Sequence, residues 1–198
     1  MNTKVQKGEY MDTLLRSKNS VFSTKDIALL WRDTQTTASQ VRLNYYVKIG
    51  KLIRVRRGIY AKDKSYDKYE FATKIFRPSY VSFETVSGMT GMTFQYYGNI
   101  FVASYVKREI KCDGQIYSFV KMKDSILANP MGVDQSGQYA IACRERAFLD
   151  IVYRSKNYYF DNLRQLDWDK VFEILPIYNN KKMVKTVEKY YKQYQINK

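Results

Sequence analysis

Apolar residues first recur at helical spacing in Tyr10, Leu14 and Leu15, and the pattern stops at Lys18-Asn19-Ser20. A new start follows at Ser23, with Asp26 three residues on. This is a weak capping box, because Glu or Gln serves better at the second position. Ile27, Ala28, Leu30 and Trp31 then predict a short helix. After the polar turn Arg32 to Thr36, Thr37 with Gln40 forms a T-x-x-Q box. The helix it opens runs from Ala38 to about Ile49, and Gly50 stands where a left-handed C-terminal cap belongs. The alternating stretch Lys51-Leu52-Ile53-Arg54-Val55 predicts a strand, Arg56-Arg57-Gly58 a tight turn, and Ile59-Tyr60-Ala61 the returning strand. Helix, helix, turn, helix and hairpin is the order of a winged helix-turn-helix.

Beyond the polar connector Lys62 to Ser65 the pattern is mixed. Tyr69, Ala72, Ile75 and Phe76 predict a helix ending before Pro78. Ser79 to Phe83 reads as a strand that runs into a small-residue helix ending near Gly88 or Gly91. Asn99 to Ser104 is a strand, Lys107 to Lys123 a hairpin about Asp113-Gly114, and Tyr139 to Ala142 another strand. A helix follows with Ala147, Phe148, Ile151 and Val152 on one side and an i,i+4 pair, Arg146 and Asp150, on the opposite face. Leu166, Val171, Phe172 and Leu175 predict a helix closed at Pro176. Met183, Val187, Tyr190 and Tyr194 predict the last one, ringed by Lys181, Lys182, Lys185, Lys189 and Lys192. Those lysines read as a solvated face. The expected fold class is α+β: an N-terminal winged helix-turn-helix over residues 1–65, then a mixed α/β C-terminal domain with terminal helices over 66–198.

At 100° per residue the third helix divides into two faces. Leu43, Tyr46, Val47 and Gly50 fall on the side expected to pack on the first two helices. Thr37, Ala38, Val41, Arg42, Asn44, Tyr45 and Lys48 fall on the other. Such a mixture suits the major groove of duplex DNA, where Arg pairs with guanine, Asn with adenine, and small apolar groups meet thymine methyls. Lys51, Arg54, Arg56 and Arg57 of the hairpin are placed for phosphates or an adjacent minor groove. The alternative is a winged helix used for protein contacts, whose outer face is usually less basic.

Charge strengthens the nucleic-acid reading. The 198 residues carry 34 Lys/Arg against 19 Asp/Glu, a net +15. Residues 1–65 hold 14 of the basic and 5 of the acidic ones, so over half of the excess lies beside the predicted groove-facing surface. Composition also narrows the chemistry. There is no histidine, which removes the commonest general base and metal ligand. Cys112 and Cys143 match no metal or redox spacing, so neither metal nor cofactor is expected. The polar start, Met1 to Lys18, lacks the apolar segment of a secretion signal, and no apolar run approaches a membrane span. A cytoplasmic location is the expectation. The 19 tyrosines carry no functional weight by themselves.

Three segments together resemble a known family. Val21 to Lys62, with Gly50-Lys51-Leu52-Ile53-Arg54-Val55-Arg56-Arg57-Gly58-Ile59-Tyr60, is similar to the N-terminal winged helix of AbiE-type (AbiEi) antitoxins. Pro78-Ser79-Tyr80-Val81-Ser82-Phe83-Glu84-Thr85 resembles that family's strand-helix junction, and Ile141 to Asp150 resembles its other recurring segment, with Glu145-Arg146-Ala147 and Leu149-Asp150. The resemblance implies a bacterial type IV toxin–antitoxin system acting in phage defence by abortive infection. It implies an N-terminal domain that represses its own operon by binding inverted repeats in the promoter. It also implies a C-terminal domain that counters a nucleotidyltransferase toxin without a stable complex.

Glu84, Glu145 and Asp150 are the acids inside the recurring segments. A catalytic carboxylate group is one reading. The favoured one is structural, with Glu84 and Glu145 in first helical turns and Asp150 paired with Arg146, so no enzyme is expected. The alternative function is a one-component regulator whose second domain binds a ligand or partner. A nucleotidyltransferase reading frame immediately downstream separates the antitoxin from that alternative.

Overall fold

The computed structural model describes residues 8–33, 37–155 and 157–196. The chain divides into two units, residues 1–75 and 76–198.

The first unit runs α1 (Tyr10–Arg16), β1 (Val21–Ser23), α2 (Thr24–Leu30), α3 (Thr37–Lys48), β2 (Ile53–Arg56), β3 (Ile59–Ala61) and α4 (Lys68–Ile75). Its sheet has the order β1-β3-β2, antiparallel throughout. Tyr10, Met11, Leu14, Phe22, Ile27, Trp31, Leu43, Leu52 and Tyr60 form the core, with Leu30, Tyr46 and Val47 packed against it. Trp31 donates its indole N–H to the Tyr10 carbonyl at 2.8 Å, which removes the cost of burying that polar group.

Ser23 caps α2 with a complete capping box: its hydroxyl accepts from the Asp26 amide, and the Asp26 carboxylate accepts from the Ser23 amide. Asp is short for this role but reaches here. α3 ends in the expected left-handed cap. Gly50 has φ +72°, its amide bonds the Val47 carbonyl, and the Lys51 amide bonds the Tyr46 carbonyl. Gly50 itself is exposed rather than part of the inward face. Thr37 is the first helical residue of α3, one position inside the expected cap. Residues 34–36 of the expected polar turn lie outside the described residues.

The strand β1 is not visible in the hydrophobic pattern, because three residues are too few to show alternation. It forms because Val21, Phe22 and Ser23 pair with Ala61, Tyr60 and Ile59. The boundary between units also falls later than the expected 65/66, since α4 is fastened to the first unit. The buried Glu70 carboxylate accepts from the Ser20 amide and hydroxyl, both at 2.8 Å, and from the Val21 amide. Lys74 bonds Asp26 at 3.0 Å. Burial raises the Glu70 carboxyl above its usual range, while its donors pull the other way.

The second unit is a six-stranded mixed sheet with helices. Its elements are β4 (Ser79–Val81), α5 (Phe83–Met89), β5 (Asn99–Ser104), β6 (Arg108–Cys112), β7 (Gln115–Lys121), α6 (Asp124–Leu127), β8 (Val133–Asp134), β9 (Ile141–Ala142), α7 (Arg144–Arg154), α8 (Trp168–Ile174), a 3-10 turn (Leu175–Tyr178) and α9 (Lys181–Ile196). The strand order is β6-β7-β5-β4-β9-β8. The Asp113-Gly114 turn joins β6 to β7 with both residues at positive φ, the geometry that matches strand twist. The helix expected from Leu166 to Leu175 is shorter. Asp167 caps it, and Pro176 sits inside the 3-10 turn instead of just closing the helix.

α7 is buried from Glu145 to Val152 and packs on α5, α8 and α9. The face carrying Arg146 and Asp150 is therefore interior. Both side chains are fully buried, and the pair closes at 3.3 Å. The Asp150 carboxylate also accepts from the hydroxyls of Ser82 (2.7 Å), Tyr80 (3.1 Å) and Tyr178 (2.6 Å). Arg146 donates to the Tyr80 hydroxyl and to the carbonyls of Ile126 and Met131, each at 2.8 Å. Burial works against the Arg146 cation, but Asp150 and the two phenols offset it and hold its pKa above the ordinary value. Such a pair can persist in low dielectric because nearly every donor and acceptor has a partner.

Candidate nucleic-acid interface

The candidate site lies on α3 and the β2–β3 hairpin of the first unit. Leu43 is buried and Tyr46 and Val47 are partly so, which fixes the rotation of α3. Thr37, Ala38, Val41, Asn44, Tyr45 and Lys48 are consequently turned outward and exposed. They form one continuous outward face, as helical spacing predicts.

Arg42 departs from that face. Its guanidinium lies over the Tyr10 ring, 3.7 Å from the centroid, and 5.5 Å from that of Trp31. It also meets the Asp33 carboxylate at 3.7 Å. Asp33 accepts in addition from the Ser39 hydroxyl at 2.9 Å, which ties Asp33 to the first turn of α3. Helical spacing places Arg42 at the edge of the outward set. The aromatic surface beneath it, which spacing does not show, decides its direction.

The hairpin is held close to α2 and α3. The Thr24 amide donates to the Gly58 carbonyl at the hairpin tip, and Gly58 adopts φ +77° there. Gln40 on α3 bonds the Tyr60 hydroxyl on β3. Opposite Ile59 and Tyr60, the register of β2 slips between Arg54 and Arg56, so Val55 is an extra residue that twists the ribbon locally. Lys51, Arg54 and Arg57 are exposed and Arg56 is half-buried.

Among the described residues no carboxylate lies within 4.0 Å of Lys48, Lys51, Arg54, Arg56 or Arg57. Two other cations of the unit are engaged: Lys62 donates to the carbonyls of Leu15 and Ser17, and Lys74 to Asp26. The arrangement sets five such cations beside an outward helix face that carries amide, hydroxyl and apolar groups. It can neutralise a polyanion while the helix face meets a surface of mixed polarity.

The acids of the second unit are held by their surroundings. Glu84 pairs with Arg154, whose guanidinium lies over the rings of Phe83 and Phe101. Glu145 accepts from the Asp167 amide and pairs with Lys170 at 3.7 Å. Asp150 sits in the buried network, cut off from solvent. An open groove of about 610 Å³ runs along Phe94, Tyr159, Leu163, Arg164 and Tyr194. Its acid, Asp161, accepts from the Phe94 amide. Among the described residues no cluster of His, Cys, Asp and Glu could hold a metal ion, and no helix is long and apolar enough to cross a membrane. Both cysteines are free thiols. Burial raises the Cys143 thiol above its usual value, and its sulfur caps α7 by accepting from the Arg146 amide.

These features define a basic helix-and-hairpin unit joined to a larger mixed α/β unit. Residues 9–61 match the family model for a transcriptional regulator, AbiEi antitoxin, so this segment is of the AbiEi-antitoxin type. The match begins next to α1 and ends with β3, and it covers the whole candidate surface. No curated protein matches the chain.

Proposed function

We propose that the first unit is a winged helix-turn-helix that binds duplex DNA. α3 enters the major groove and the β2–β3 hairpin is the wing. The observation that carries the reading is the set of cations without a carboxylate partner among the described residues, Lys48, Lys51, Arg54, Arg56 and Arg57, beside the outward face of α3. It falls inside the segment that matches the antitoxin regulator family. In this reading Thr37, Ala38, Val41, Asn44 and Tyr45 face base edges. Lys48, Lys51, Arg54, Arg56 and Arg57 hold phosphates, and Arg42 supports α3 from behind.

The family match supports a wider role. The chain is an autorepressor and antitoxin of a type IV toxin–antitoxin operon of the abortive-infection, phage-defence kind. The first unit binds inverted repeats in its own promoter. The second counters a nucleotidyltransferase toxin without staying bound to it, and no catalytic residue is assigned to it. Cells that express the downstream nucleotidyltransferase test this role. Growth is rescued by the full chain, and by a chain with Arg54, Arg56 and Arg57 changed to Ala, while only the full chain silences the promoter. Loss of rescue together with silencing would contradict the division of labour.

A further inference from the structure

We propose that the outward face of α3 reads thymine methyl groups, and that Val41, with Ala38 and Tyr45 beside it, sets the sequence preference. The inference rests on the duplex-binding reading and adds to it which bases are read. Positions 38, 41 and 45 follow one another at helical spacing, so their side chains form a single apolar stripe. Val41 is 62% exposed and Tyr45 56% exposed, and neither contributes to the unit's own core. Ala38 and Val41 stand on the first two turns of a groove-entering helix, where they meet the one apolar feature of the major groove, the thymine C5 methyl, and Tyr45 extends the stripe into the third turn.

The polar groups of the same face agree. Guanine is read best by a guanidinium that bonds O6 and N7 together. The one guanidinium on α3 is Arg42, and it is withdrawn over Tyr10 and paired with Asp33. Lys48 stands in the last turn, away from the helix end that contacts base edges. Asn44 is held with its carbonyl oxygen accepting from Gln40, whose amide also bonds the Tyr60 hydroxyl. That leaves the Asn44 amide hydrogens directed to acceptors, which purine N7 and thymine O4 supply. Such acceptors occur on A·T and G·C pairs alike, so the preference for A·T pairs rests on the apolar stripe and on the withdrawal of Arg42.

The test uses the full chain and duplexes it selects from a random-sequence library. The selected duplex is resynthesised with deoxyuridine in place of each thymine in turn, which deletes one methyl and changes no hydrogen bond. Affinity should fall about fourfold at each methyl that is read, the effect of removing one buried carbon. The exposed substitution Val41→Ala should abolish the difference between thymine and uracil at one position, while Arg42→Met leaves base preference unchanged. Selected duplexes indifferent to uracil, or bound without sequence preference, overturn the methyl readout while duplex binding stands. Failure to bind any duplex overturns both.

Discussion

Arg146 and Asp150 meet at 3.3 Å with both side chains fully buried, one turn apart on α7. Removing the cation leaves a carboxylate in the core without its counter-charge. Arg146→Met should therefore lower stability by about 3–5 kcal/mol. The double variant Arg146→Met, Asp150→Leu should lose much less than the sum of the two single losses. Urea unfolding of the three variants measures this, and strictly additive losses would contradict the coupling.

Burial raises the phenols of Tyr80 and Tyr178 well above the ordinary tyrosine range, and Asp150 beside them adds to the effect. The folded pKa exceeds the unfolded one, so in the window between them the folded chain holds more protons. Stability is intact below pH about 10 and falls as pH rises beyond it. Unfolding midpoints measured from pH 9 upward (about the foot of tyrosine titration) should decline steeply, and less steeply in Tyr178→Phe. An unchanged slope in that variant would show that the Tyr178 phenol ionises freely in the folded state.

Gly132 tests how tightly the loop before β8 is pressed on α7. It has φ +74°, and a Cβ there would lie 2.8 Å from Ile174 Cδ1 and 2.9 Å from Arg146 Cβ. Gly114 has a similar φ of +75° but open space around it. Gly132→Ala should cost about 1–3 kcal/mol from overpacking on top of the left-handed penalty that both positions share. Thermal unfolding of the two variants should rank Gly132→Ala clearly lower, and equal midpoints would contradict the packing.

Glu70 ties α4 to the first unit through Ser20 and Val21. Glu70→Ala leaves those donors without an acceptor, at about 1–3 kcal/mol. Amide exchange should quicken at Val21 and at its β3 partners. Exchange that changes only within α4 would mean that Glu70 does not hold β1.

Much of the fold was readable in local pattern. Alternation marked β2, the Asp113-Gly114 turn marked the β6–β7 hairpin, and Gly50 marked the end of α3, because each depends on neighbours in sequence. β1 was not readable, since its three residues are recognised only by pairing with β3, nearly forty positions on. The Arg146–Asp150 spacing was visible, but not its burial. Burial depends on Tyr80, Ser82 and Tyr178 arriving from distant segments. The candidate surface shows the same division. Helical spacing gave the outward face of α3, whereas the withdrawal of Arg42 depends on Tyr10, which only the folded core places beneath it.

Salt-dependent affinity for the chain's own promoter decides whether α3 and the wing bind duplex DNA. The full chain should protect inverted repeats there, with affinity falling steeply as salt rises. Changing Arg54, Arg56 and Arg57 to Ala should weaken binding and flatten the log–log salt slope by about 1 for each phosphate that is no longer neutralised. Affinity and slope that match the unaltered chain would contradict duplex binding by the wing.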